Sequence, residues 1–187
     1  ILLRAKYRFL DFPGGGLAAA VDLRTPTGHE GNLLGTGTTQ AKFIFVASNE
    51  YNKLSPHVNI RYTFSGDSPN NFINVTDEFN YALGTEYTPA PKVTITGDVL
   101  GRSLRGSGKL VEQPKTFNWR TAAGVAGSTT FPEFTSQDGS LNLVLGAVGV
   151  KYNPAGNLLI SANVLFPLSD AGLKSKAVPV IGFDYAF

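Results

Sequence analysis

The chain has 187 residues, of which 42% are hydrophobic and 16% charged, and it contains 21 glycines but no cysteine. The lack of cysteine excludes disulfides and thiolate metal sites, and the low charge with high glycine content argues against a disordered segment or a helical bundle. The 16 basic and 14 acidic residues are dispersed, so the net charge of +2 indicates no nucleic-acid-binding patch.

Apolar and polar residues alternate along the chain in runs of roughly ten residues, the length that a tilted strand needs to cross a bilayer. Helical periodicity is hard to find. The longest unbroken apolar stretch, 143–150, is too short for a membrane-spanning helix. In chain order, the alternation predicts about nine strands, at 2–10, 17–25, 36–48, 57–65, 78–87, 92–104, 141–152, 157–166 and 177–187.

The predicted connections alternate between two classes along the chain. Tight connections rich in Pro, Gly or Asn occur at 11–15, 49–56, 88–91 and 153–156. Longer, more polar connections occur at 26–35, 66–77, 105–140 and 168–176. Short periplasmic turns and long extracellular loops are typical of an outer-membrane barrel. We therefore predict an all-β fold, an antiparallel up-and-down transmembrane β-barrel that forms a single domain over 1–187, with 105–140 as a long extracellular loop.

Alternate residues of each predicted strand divide between an apolar face and a polar face. Between 57 and 65, Val58, Ile60 and Phe64 alternate with His57 and Arg61. A soluble sandwich would produce the same alternation with its apolar face inward, so alternation alone does not decide the orientation. Aromatic residues favour lipid, because most lie near strand ends, where interfacial girdles occur. These residues are Tyr7, Phe9, Tyr62, Phe64, Phe79, Tyr81, Tyr87, Phe166, Phe183, Tyr185 and Phe187.

The opposite face carries many ionisable groups, which could not share a dry core without a large desolvation cost. We predict that it lines a lumen, with Arg4, Lys6, Arg8, Asp22, Arg24, Lys42, Arg61, Glu78, Glu86, Lys92, Asp98, Arg102 and Asp184 as lining residues. The ladder of Arg4, Lys6 and Arg8 would attract anions. Alternatively, these cations pair across strands with Asp22, Glu78, Glu86 or Asp98 and hold the interior together.

The C-terminal segment places Phe183, Tyr185 and Phe187 on one face and ends in Phe. This pattern resembles the terminal signal that the barrel-assembly machinery reads in bacterial outer-membrane proteins. Four segments, RTPTG at 24–28, NLLGTG at 32–37, SPHVN at 55–59 and DEFNYA at 77–82, are similar to those of the outer-membrane transporter family associated with meta-pathway phenol degradation. The similarity covers most of the chain except 105–140.

That resemblance implies a barrel of about a dozen strands, whereas the sequence predicts about nine. Single-chain bacterial barrels normally have an even number of strands. The first predicted strand begins almost at residue 1, so we expect an odd number of strands upstream, and three would restore twelve. Alternatively the count is wrong, because 109–119 could add a hairpin or a weak strand could be a loop.

The segment 105–140 has a small, apolar centre at 121–127, flanked by aromatic residues. It could contact an apolar solute at the cell surface, form two strands that extend beyond the membrane, or provide an interface to a protein partner. The aromatic residues are Phe117, Trp119, Phe131 and Phe134.

Little in the sequence suggests catalysis. The only histidines, His29 and His57, lack the spacing of a metal pair, and no Gly-x-Ser-x-Gly motif is present. We therefore predict no enzyme activity and no cofactor. The expected function is an outer-membrane channel or transporter for passive uptake of small solutes, with aromatic compounds as candidates and outer-membrane lipid as the surroundings. The alternatives are a structural barrel that anchors or sheathes a partner, and a soluble lipocalin-like carrier, which would need its apolar face inward.

Overall fold

The computed structural model describes residues 1–32, 34–67, 75–137, 139–171 and 175–186. Within these residues there are eleven β-strands and one short 3-10 helix, Glu30–Asn32. The strands are β1 (Leu2–Phe12), β2 (Gly15–Arg24), β3 (Gln40–Asn49), β4 (Leu54–Ser65), β5 (Glu78–Ala90), β6 (Val93–Leu104), β7 (Lys109–Arg120), β8 (Ala126–Gln137), β9 (Leu141–Tyr152), β10 (Leu158–Pro167) and β11 (Val178–Tyr185). In this part of the chain, no helix combines the length and apolarity that crossing a membrane requires.

Nine of the strands form one antiparallel meander, in the order β1-β2-β3-β4-β5-β6-β9-β10-β11. All nine predicted strands are confirmed, with ends shifted by a few residues. The largest shift is at β3, which begins at Gln40 rather than at residue 36. Each strand of the meander therefore pairs with the strands that precede and follow it in the chain. The exception is that β6 pairs with β9, because the β7–β8 hairpin is inserted between them.

The inserted hairpin, β7–β8, lies within the segment that we predicted as a long loop, and it forms a separate two-stranded sheet. Of the alternatives left open for this segment, two strands are observed. Phe117 and Phe131 pack with ring centroids 6.2 Å apart, and Trp119 Nε1 donates a hydrogen bond of 2.9 Å to Thr129 Oγ1. Lys115 pairs with Glu133 at 2.7 Å on the same face. The described part of 105–140 therefore consists of a hairpin with short flanking links.

The connections confirm the predicted alternation of length along the sheet. At one end of the sheet, the β1–β2 turn is only Pro13-Gly14, and Gly14 adopts a φ of 82°, which favours glycine. The β3–β4 turn holds Asn52 at a φ of 58°, a conformation that asparagine tolerates better than most residues. The connections at the other end are longer, with residues 25–39 between β2 and β3 and 66–77 between β4 and β5.

The two faces of the nine-stranded sheet differ sharply in burial. Within the described strands, the buried residues that carry side chains all lie on the polar face: Ala18, Ala20, Asp22, Thr63, Thr96 and Ala147. Large apolar residues on the other face are exposed, among them Phe43, Ile60, Leu83 and Val150. The sheet therefore shelters its polar side and presents its apolar side to the surroundings, the reverse of a soluble sheet with one wet face.

Candidate functional site: the polar face of the sheet

Side chains on the polar face reach each other across an intervening strand. Strands two apart in a sheet are separated by about 10 Å, yet His57 Nε2 on β4 lies 3.0 Å from Asp98 Oδ1 on β6. Gly84 of β5 stands between them in the register. A Cβ at Gly84 would collide with both partners, so this contact requires glycine there.

Two further contacts of this kind join β5 to β9 and β6 to β10. Lys151 Nζ lies 2.6 Å from Glu86 Oε1, with β6 between them. Thr96 Oγ1 donates a 3.3 Å hydrogen bond to Asn163 Oδ1 over Gly149 of β9. Long side chains and small residues on the middle strand permit such contacts. The buried side chains of the described strands lie on this same face although no other described strand packs over it, so the sheet curves toward its polar side and this face is concave.

The contacts that skip a strand lie toward the short turns. Two bidentate ion pairs lie at the other end of the polar face, near the long connections. Arg4 donates hydrogen bonds of 2.6 and 2.7 Å to the two carboxylate oxygens of Asp22, whose side chain is 4% exposed. Arg102 binds Glu78 in the same way, at 2.8 and 3.1 Å. Paired Arg–carboxylate geometry of this kind fixes orientation as well as charge.

A shallow depression of about 270 Å³ adjoins the Arg4–Asp22 pair. It is lined by Leu2, Arg4, Asp22, Arg24, Gln40, Lys42 and Thr63. Three cations and one carboxylate thus share this part of the face, and its local charge is positive.

The register shows where each predicted lining residue lies. Twelve of the thirteen stand on the polar face: Arg4, Lys6, Arg8, Asp22, Arg24, Lys42, Arg61, Glu78, Glu86, Asp98, Arg102 and Asp184. Lys92 differs, because it precedes the first residue of β6 and its Nζ donates to the carbonyl oxygen of Pro154 in the next turn, at 3.1 Å. It therefore lies at the end of the sheet with the short turns.

The Arg4, Lys6 and Arg8 ladder does not behave as a single unit. Arg4 pairs with Asp22 across the strands, as one of the two interpretations expected. Arg8 pairs with Asp11, which the sequence did not suggest, and also donates to the carbonyl oxygen of Gly15 at 3.0 Å. Lys6 makes no ion pair with any described residue, so it remains a candidate for attracting anions.

Sequence reasoning missed an apolar sector on the polar face. The register places Leu100 and Leu104 of β6 beside Leu145 and Leu141 of β9, on the same side as the ion pairs. Leu143 and Leu165 extend this sector. The alternation of 141–152 gives little signal because leucines lie on one face there and valines on the other, so both faces are apolar. For the same reason the sequence did not indicate that Lys151, which stands between apolar residues, faces the polar side and pairs with Glu86.

The apolar face is lined by aromatic rings that cover glycines on the adjacent strand. Tyr81 lies against Gly101, its direct cross-strand partner, and Phe166 lies against Gly146 in the same way. Of the predicted assembly signal, Phe183 and Tyr185 project from the apolar face of β11 with 71% and 63% exposure. Phe187 lies outside the described residues.

Comparison with protein-family models and with curated proteins found no match for this chain. Among the described residues, no three His, Asp or Glu side chains are clustered in a way that could hold a metal ion. Function must therefore be inferred from the two faces of the sheet and from the groups that meet on the concave one.

Proposed function

We propose that the nine-stranded sheet is part of the wall of a β-barrel in the bacterial outer membrane, through which small solutes diffuse passively. In this proposal the apolar face contacts lipid and the concave polar face borders water. One observation carries the proposal: the ionised side chains meet on the sheltered side, while the aromatic and aliphatic side chains are left exposed.

The energetic support comes from the size of the exposed apolar surface. Phe43, Phe64 and Ile60 of neighbouring strands are 51%, 51% and 38% exposed, and similar residues continue through Leu83 and Val99 to β9. A continuous apolar surface of this extent is unfavourable in water and usually marks a contact with a membrane or another protein. Strands of 8 to 13 residues suit the thickness of a bilayer.

A soluble carrier is disfavoured by the same distribution. Such a protein would enclose Ile60, Leu83 and their neighbours and expose its charges. Here the apolar side chains are exposed instead, which supports a wall that faces lipid. The partners of the proposed barrel are membrane lipid and, during assembly, the barrel-assembly machinery.

Closure of the proposed barrel depends on strand parity. In a meander of nine antiparallel strands, β1 and β11 run in the same direction. An all-antiparallel barrel therefore closes only when an odd number of further strands lies between these two edges, and three would give the even total of twelve. We propose that such strands complete the wall.

A structural barrel that sheathes a partner is the second candidate, and the contacts that skip a strand favour it. The pairs His57–Asp98 and Glu86–Lys151 draw side chains inward over the concave face. Inward-reaching ion pairs can fill a lumen as well as line it. The two candidates therefore differ in whether water and solutes pass.

Reconstitution in planar bilayers separates the two candidates. We expect the correctly folded full-length protein to give stepwise KCl conductance and to make vesicles permeable to small neutral solutes. An open passage predicts both. Folded protein that inserts but carries neither ions nor solutes would overturn the transport proposal and leave the sheath.

A further inference from the structure

Arg61 lies on the concave face, where no described residue pairs with its charge. Its register neighbours are Ile44 on β3 and Asn80 on β5, neither of which is ionised. Arg61 makes no ion pair with any described residue, and its Nε is buried without a hydrogen-bond partner there. The nearby Arg102 is already bound by Glu78 through two hydrogen bonds. Among the described residues, the positive charge of Arg61 is therefore uncompensated.

Asn59 lies two residues before Arg61 on the same face of β4, and its Oδ1 is likewise buried without a partner among the described residues. The amide nitrogen of Asn59 and the guanidinium of Arg61 supply N–H donors two residues apart on one face of the strand. Two such donors, one of them cationic, suit a carboxylate.

The floor beside these donors is small and apolar. Asn59 pairs in register with Ala82 of β5, and Ala82 pairs with Leu100 of β6, which pairs with Leu145 of β9. The next register row, toward the short turns, contains the His57–Asp98 contact over Gly84, so β4 and β6 side chains converge above β5 at this level. With only a methyl group at Ala82, the register leaves room for a cleft between Asn59 on β4 and Leu100 on β6.

We infer that this cleft binds small carboxylates that have an apolar body: the carboxylate on Arg61 and Asn59, the apolar body over Ala82 against Leu100 and Leu145. This inference rests on the proposed function, since it requires the concave face to be open to solutes. The carboxylate site adds a solute class to the proposed passage. The strand order and the orientation of the two faces do not indicate one by themselves.

Binding to the full chain in lipid nanodiscs tests the site, with benzoate, benzyl alcohol and acetate as probes for titration calorimetry. We expect benzoate to bind at least tenfold more tightly than benzyl alcohol, which lacks the charge, and than acetate, which lacks the ring. This comparison uses the unmodified protein, so it does not depend on the folding of any variant. Equal affinities for the three probes, or no benzoate binding, would overturn the inference.

Two substitutions locate the site. Arg61→Gln is expected to weaken benzoate binding about tenfold or more with little effect on benzyl alcohol, and Arg61→Lys to recover part of the loss. Leu145→Ser is expected to weaken both ring compounds. Arg120→Gln removes an exposed cation from the distant end of β7 and should change neither. Benzoate binding that survives Arg61→Gln would contradict the assignment.

The KCl conductance of the same samples distinguishes the two proposals. Conductance without Arg61-dependent benzoate binding removes the carboxylate site and keeps the passage. Arg61-dependent binding without conductance supports the site and removes the passage.

Discussion

Individual glycines decide which side chains can meet on the concave face. At Gly84 and Gly149 the missing Cβ opens a path over the middle strand, along which His57 reaches Asp98 and Thr96 reaches Asn163. Glycine in a strand normally weakens it, because glycine loses more backbone entropy on folding than other residues and has no side chain to pack. Here the cost is offset by contacts that tie strands two apart.

Gly149→Ala is predicted to destabilise the protein by about 1–3 kcal/mol, as expected for overpacking. The added Cβ would collide with Asn163 Oδ1 and would lie 2.7 Å from the carbonyl oxygen of Ala162, which is backbone and cannot swing away. Urea unfolding in lipid vesicles measures the change. Gly97→Ala is the matched control, since its Cβ meets no atom within 4 Å, and it should shift stability by no more than about 0.5 kcal/mol. Equal effects of the two substitutions would rule out this role for Gly149.

At this scale the sequence predicts the face of a charged residue but not its partner. Alternation of period two places Arg4, Asp22 and Glu86 on one side without ambiguity. The pairing of Glu86 with Lys151, 65 positions away, depends on the curvature of the sheet and on the strand order around the inserted hairpin. Sheet curvature and strand order are not visible in any local pattern of residues, so the sequence alone could not identify Lys151 as the partner of Glu86.

At the scale of the strand, the sequence predicts the nine members of the meander because most of them keep one apolar and one polar face, and β9 is recognised as a short apolar run. For the β7–β8 hairpin the same reasoning left two strands only as one of several alternatives. Pro114 and Pro132 interrupt its strands and pair directly with each other in the register. Proline is excluded from central strands but tolerated at edges, and in a two-stranded sheet both strands are edges. Aromatic residues also fall on both hairpin faces, since Phe117 and Phe134 are out of phase.

Removal of residues 109–137 is predicted to leave the nine-stranded sheet intact. The hairpin forms its own sheet, and the backbone N–H of Gly108 donates to the carbonyl oxygen of Gly139 at 3.1 Å, so Gly108 and Gly139 on either side of the hairpin are already adjacent. We expect the shortened protein to refold into vesicles with its unfolding free energy within about 0.5 kcal/mol of the parent, by analogy with peripheral changes.

Removal of the β5–β6 pair, residues 78–104, is the control and should abolish folding, because these strands join both halves of the meander. Far-UV circular dichroism and urea titration report both outcomes. A hairpin-deleted protein that fails to refold would mean that β7–β8 stabilises the sheet itself.

For the whole molecule, the orientation of the faces can be tested with tryptophan. Trp119 is the only one in the chain, so Trp119→Phe gives a silent background. Ile44 and Phe45 are consecutive residues of β3 that project to opposite faces. Because lipid carrying bromine quenches only tryptophans that touch it, we expect strong quenching for Phe45→Trp and weak quenching for Ile44→Trp in reconstituted vesicles.

The two variants control for each other, since they differ by one position along the same strand. Aqueous iodide should quench in the opposite order if the concave face borders water. Bromine quenching at Ile44→Trp but not at Phe45→Trp would reverse the proposed orientation and favour a carrier with an apolar interior.

The concave face is divided from one group of strands to the next: charge predominates on β1–β5, and leucine on β6, β9 and β10 toward the long connections. If this face borders a passage, as we propose, a molecule with one ionised end and one apolar end would lie across the strands, broadside to its direction of movement. Its breadth, rather than its length, would then determine whether it fits, so slender chains and flat rings of equal mass should be sorted differently.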